Sequence, residues 1–167
     1  QRQMCIRDSL FFLVKAMEFW LFIGVPEHVE QGLRRKRWAL NENDIAYIYT
    51  KNNLLLSVGD YVVFYVTRYQ RIVGFARIAD IYYQNPYESD LEWARESSEG
   101  RVIWPWRVIF SSTLGLARNK WEKLGLEPQP HIKQHIVPGA SVIPLKPTDY
   151  REILLNAEKS WGLIIRI

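Results

Sequence analysis

Cysteine is almost absent: Cys5 is the only one in 167 residues. That excludes an internal disulfide framework and leaves no cysteine-based metal site. Histidine is nearly as scarce, with His28, His131 and His135 alone, and no H-E-x-x-H pair is present. His131 and His135 would share a face on a helix, but Pro130 and Pro138 around them favour a loop, so no metal is expected. No G-x-G-x-x-G, P-loop or G-x-S-x-G motif occurs, and no small-molecule cofactor and no catalytic residue are expected. No apolar run reaches the roughly 20 residues that span a bilayer. The expectation is a soluble, cytoplasmic protein that is not an enzyme and has no membrane partner.

What is present is aromatic. Phe, Trp and Tyr make up 14% of the chain, with seven Trp and nine Tyr. The length suits one domain with a real core. The formal charge is +4. Residues 1–16, QRQMCIRDSLFFLVKA, have no clear period, and Met17 opens a strand-like stretch. They are expected to be a non-native or disordered leader preceding a single domain over 17–167. Without them the balance falls to 19 basic against 17 acidic residues, +2, and global charge says little about nucleic acid.

The pattern centres on residues 54–80. Ser57-Val58-Gly59-Asp60 supplies turn chemistry before Tyr61 to Val66, a β-branched and aromatic strand. Thr67 to Arg71 make a polar turn, and Ile72 to Ala79 follow at once, so the pair reads as an antiparallel hairpin. Gly74 inside the second strand suits a close backbone approach. Phe19 to Val25 reads as a strand buried on both faces, and Pro26 opens a helix that ends in Arg34-Arg35-Lys36-Arg37. Ile45 to Tyr49 is read as a short strand. Residues 87–100 read as an exposed loop with one helical turn and one apolar anchor, Trp93. Arg101 to Ser111 is read as a strand, Leu114 to Leu124 as a short helix, and Thr148 as the N-cap of a final helix. The element order gives an α+β domain with a curved sheet or small barrel.

Trp38 directly after four cations, Trp93 in its polar loop, and Trp104 and Trp106 beside Pro105 are candidate walls of a pocket that stacks a flat ligand. Base-on-aromatic stacking contributes about 1–3 kcal/mol per base. The cations would hold phosphates beside it.

Together these residues resemble the EVE domain of the PUA-like superfamily, a relative of the YTH readers. The matching stretches are Phe19 to Ile23, a helix ending before Trp38, and Leu55-x-x-Val58-Gly59-Asp60 running into Val62 to Val66. They continue with Ile72-Val73-Gly74-Phe75-Ala76-Arg77-Ile78, Trp104-Pro105-Trp106-Arg107-Val108, and Gly139-x-Ser141 leading to Asp149-Tyr150. The resemblance implies a small mixed β-barrel flanked by helices. It also implies a nucleic-acid-binding module, for DNA or RNA, that reads a modified base flipped into an aromatic pocket. By position Trp38 looks like the pocket tryptophan and Trp93 like the second wall, with Arg34, Arg35, Lys36 and Arg37 holding backbone. Gly24-Val25-Pro26 stands where family members often place a polar residue. The alternatives are an amidohydrolase like the ASCH branch, acting on a modified nucleoside, and a degenerate PUA-like protein-interaction module.

Overall fold

The computed structural model describes residues 17–52, 54–85 and 91–167. The leader read over 1–16 lies outside the described residues. So does the 86–90 part of the polar loop.

The central hairpin forms where the turn chemistry places it. Gly59 takes a left-handed φ of 93°, and Asp60 turns its buried carboxylate inward. It accepts hydrogen bonds from the Glu18 backbone (3.0 Å), the Trp20 indole (2.9 Å) and the Ser57 backbone (2.9 Å). Burial pushes the carboxyl of Asp60 up, and those three donors oppose the shift. One carboxylate thereby pins the start of β1 (Phe19–Gly24) beside β3 (Tyr61–Val66). The two strands run parallel from Phe19 opposite Tyr61 to Gly24 opposite Val66. α1 (Pro26–Arg35) and β2 (Arg37–Leu40) follow β1 directly.

β3 pairs antiparallel with β4 (Arg71–Tyr83), which in turn pairs antiparallel with β5 (Trp106–Gly115). β2 closes one edge against β5, and β6 (Val142–Leu145) closes the other against β1. The order is β2-β5-β4-β3-β1-β6. Register shifts interrupt β4 near Ile78 and β3 at Phe64/Tyr65. Such bulges increase local twist and bend, and the mixed sheet curls into a half-barrel with helices on both faces.

β1 is buried on both faces, as its unbroken apolar run implied. Trp20 and Phe22 join one core with Val62, Phe64, Trp38 and Trp93. Leu21 and Ile23 join the other with Val63, Phe75 and the final helix. Gly74 serves close approach: a Cβ there would sit 2.7 Å from Leu33 of α1 and 3.1 Å from the Leu114 carbonyl. Gly115 on β5 makes room for the same leucine.

Five local readings are corrected. Ile45 to Tyr49 belongs to a helix, α2 (Glu42–Asn52). Asn41 and Asp44 cap it reciprocally, the Asp44 backbone donating to Asn41 Oδ1 at 2.7 Å and the Asn41 backbone to Asp44 Oδ2 at 3.1 Å. Ile45 and Ile48, three apart, then face the core together. Residues 101–105 are not strand, because β5 begins at Trp106 and runs on to Gly115. The expected helix from Leu114 is therefore only a short turn at Arg118–Lys120 followed by α4 (Trp121–Leu124), after α3 (Ala94–Glu99) in chain order. Beyond the short α5 (Pro130–Lys133), α6 (Pro147–Trp161) starts one residue before Thr148. Lys146 takes the N-cap position and Pro147 the first turn, where its missing N–H costs nothing. Finally, Trp93 is not an anchor on an exposed loop; it is buried in the Trp20 core, 2% exposed.

Candidate functional site

The segment that buries Trp93 is organised by a single carboxylate. Glu96 is fully buried. Its Oε1 accepts from the Trp93 backbone (3.3 Å) and from Arg107 (2.9 Å), and its Oε2 accepts from the backbones of Ile103 (2.8 Å) and Trp104 (3.1 Å). Arg107 on β5 is itself buried and also lies 3.9 Å from Glu92. Two tryptophans eleven positions apart are thus held by their backbones to one ion pair rooted in the sheet. Sequence reading missed this anchor and placed Glu96 on a charged loop. Its one signal is a glutamate three residues after the helix-start position, the spacing of a reciprocal cap.

Trp93 and Trp104 are brought against a cavity of about 440 Å³. The end of β1 supplies Gly24 and Val25, α1 supplies His28, β2 supplies Trp38, and α2 supplies Asp44. Thr67, Arg95 and Ser141 complete the polar lining. Trp38 and Trp93 meet edge to face, their rings 6.1 Å apart at 76°. The two indoles form a corner, not a pair of facing plates. His28 packs edge-on to both Trp93 (5.1 Å) and Trp104 (5.0 Å), and the Arg95 guanidinium lies 5.9 Å over the Trp104 ring.

Gly24, the departure noted in the sequence, has a steric reason: any Cβ there would overlap the Trp38 ring. A Cβ at Gly32 would lie 2.9 Å from the same indole. The indole needs both glycines. Polar side chains come to the cavity instead from α1, α2 and the residue before β6. Burial holds the His28 imidazole below its usual range, with Glu27 opposing, Arg95 adding to the shift and Glu96 opposing it. Burial pushes the Asp44 carboxyl up, against hydrogen bonds from the Asn41 backbone and the Ser141 hydroxyl. Among the described residues the buried Trp93 indole N–H has no acceptor. An unsatisfied buried donor costs about 1–3 kcal/mol.

Of the residues singled out from sequence, Trp38, Trp93 and Trp104 come together at the cavity. Trp106 lies outside its lining and packs edge-on to Tyr83 at 5.3 Å. Arg34, Arg35 and Lys36 are exposed at the end of α1 opposite His28, about 10 Å along a helix that rises 1.5 Å per residue. Arg37 is engaged already, with Glu92 at 3.1 Å and the Tyr82 hydroxyl at 3.3 Å. His131 pairs with Asp149 at 2.9 Å. Among the described residues no cluster of three His, Cys, Asp or Glu side chains is placed to hold a metal, and no helix is long and apolar enough to cross a membrane.

A mixed α+β half-barrel of this topology, with an indole-lined cavity at one end of its parallel strand pair, is a PUA-like fold. The chain belongs to the EVE domain family, whose model matches residues 18–155. Among solved structures it is similar to a hypothetical protein from Leishmania major, at 19% identity over 87% of this chain and 97% of that one, with a TM-score of 0.50. It is also similar to the YTH domain of a Zygosaccharomyces rouxii protein in complex with N6-methyladenosine RNA. There the identity is 16%, the coverage 85% and 87%, and the TM-score 0.48. A mutant of the ASCH protein of Zymomonas mobilis shares 12% identity over 83% of this chain and 97% of its own, with a TM-score of 0.48. No curated protein sequence matches the chain at a significant level.

Proposed function

We propose that this protein binds nucleic acid and takes one base, turned out of its strand, into the cavity lined by Trp38, Trp93 and Trp104. The carrying observation is the convergence of three indoles and an edge-on imidazole on one cavity of about 440 Å³, within the usual range for small-molecule sites. The family membership supports the same reading. A flat heterocycle lies against the face of one indole and meets the edge of the other, so the corner orients the ring while stacking supplies affinity. Arg34, Arg35 and Lys36 are exposed and make no ion pair among the described residues; they hold the phosphates of the strand that delivers the base. Arg37 acts differently, steadying Glu92 at the start of the Trp93 segment. The bound base is a modified one and is released unchanged.

The test is titration of the purified protein with single-stranded DNA and RNA oligonucleotides carrying one modified base each, with the oligonucleotides analysed afterwards. Submicromolar affinity that depends on the modified position, with the base recovered intact, is expected. Affinity blind to every modification overturns base reading, and a hydrolysed base moves the protein to the class of amidohydrolases.

A further inference from the structure

We propose that Asp44 reads the edge of the bound base and that the base it selects carries an exocyclic amino group, an inference that rests on the base-binding function above. Asp44 is the one carboxylate among the described residues that line the cavity. Its position is fixed on both sides, because the Asn41 backbone donates to Oδ2 and the Ser141 hydroxyl donates to the same carboxylate. A carboxylate has about four acceptor sites, so acceptor capacity is left over toward the cavity. Burial disfavours its charge, and a ligand N–H donor relieves that cost. The amino group of cytosine or adenine is such a donor, in line with the common pairing of acidic side chains with an exocyclic amine. Uracil and hypoxanthine place a carbonyl oxygen at that position, and two acceptors then face each other.

The probe is a set of single-stranded 9-mers, identical except at the central position, compared as two pairs that differ by amino for oxo: cytosine with uracil, and adenine with hypoxanthine. Wild-type protein is expected to bind the amino member of at least one pair about tenfold or more tightly. Asp44→Asn keeps an acceptor for the Asn41 backbone, offers the cavity a donor, and is expected to shrink that preference below about threefold or reverse it. Because the wild-type preference is measured independently, a variant that folds poorly does not shield the proposal. Equal binding within both pairs by the wild type overturns the assignment, as does an Asp44→Asn protein that keeps the preference. Failure of the wild type to bind any of the 9-mers or any modified oligonucleotide overturns the base-binding function itself.

Discussion

The two faces of the sheet are covered in different ways. On one, with Ile132 of α5 and Ile165 beside it, the long final helix lays Tyr150, Ile153 and Ala157 over Leu21, Val63 and Phe75. Their spacing of three and four is what one helix face provides, and the cover is continuous. On the other, Trp20, Phe22 and Phe64 are covered by α1, α2 and the 91–105 segment, three pieces that approach from different directions. Each is fastened by its own device: Leu33 over Gly74 and Gly115, the Asn41–Asp44 reciprocal cap, and Glu96 with Arg107. The cavity lies where those pieces meet. Discontinuous cover leaves room for a ligand, and fixed polar anchors keep that room from collapsing.

Removing an anchor should break the contrast most visibly. Glu96→Ala takes from the buried Arg107 its 2.9 Å carboxylate and leaves Glu92 at 3.9 Å, and a loss of about 3–5 kcal/mol in stability is expected, with oligonucleotide binding abolished; chemical denaturation and titration measure the two. Ile153→Ala on the helix-covered face should cost about 2–5 kcal/mol yet leave the affinity of the folded protein unchanged. If both variants lose affinity equally, the two faces are not functionally distinct.

Trp20 and Trp38 sharpen the comparison within one core. Trp20→Ala should cost about 3–5 kcal/mol of stability with little change in affinity, because its indole is committed to Asp60 and lies outside the cavity lining. Trp38 is only 4% exposed, so its truncation also lowers stability. In addition it should remove about 1–3 kcal/mol of base affinity. Similar affinities for the two variants, measured where both are folded, would make Trp38 a core residue and nothing more.

Gly74→Val drives a branched side chain into Leu33, and destabilisation of about 1–3 kcal/mol through overpacking is expected from thermal melts. Neutralising Arg34, Arg35 or Lys36 singly should weaken all oligonucleotides alike and lower the salt slope by about 1 each. An unchanged slope would return the α1 terminus to an ordinary solvated end.

The smallest effect expected is one of pH. His28 is held neutral by burial, facing Glu27, Arg95, Glu96 and the edges of Trp93 and Trp104. Its folded pKa lies below the unfolded value of about 6.5, so its stabilising contribution is complete above that value. It declines as the pH falls from there through the folded pKa, where the unfolded chain takes up a proton first. His28→Gln should flatten the dependence of stability on pH below about 6.5, and a slope identical to wild type would place the imidazole in solvent.

Much of this architecture is set by neighbours in the sequence. The Gly59-Asp60 turn, the β-branched run after it and the short link to Ile72 define the hairpin. The unbroken run from Phe19 implies burial on both faces. Trp38 is conspicuous for following a cationic helix end. Misreadings arose where local chemistry is ambiguous. Asn41 and Asp44 belong equally to a turn and to a helix cap, and the hydrogen bonds between them select the helix. Trp93 looks solitary among charged residues because its partners, His28, Trp38 and Arg107 through Glu96, lie fourteen to sixty-five positions away. The reason for glycine at position 24 is an indole fourteen residues on, and the gathering of His28, Asp44 and Ser141 at one cavity joins three elements with no common periodicity. Hydrophobic period and turn propensity act over a few residues and were determined by the sequence alone. The cavity, its polar lining and the ion pair beneath it depend on which segments the curled sheet brings together, and only the tertiary structure decided those.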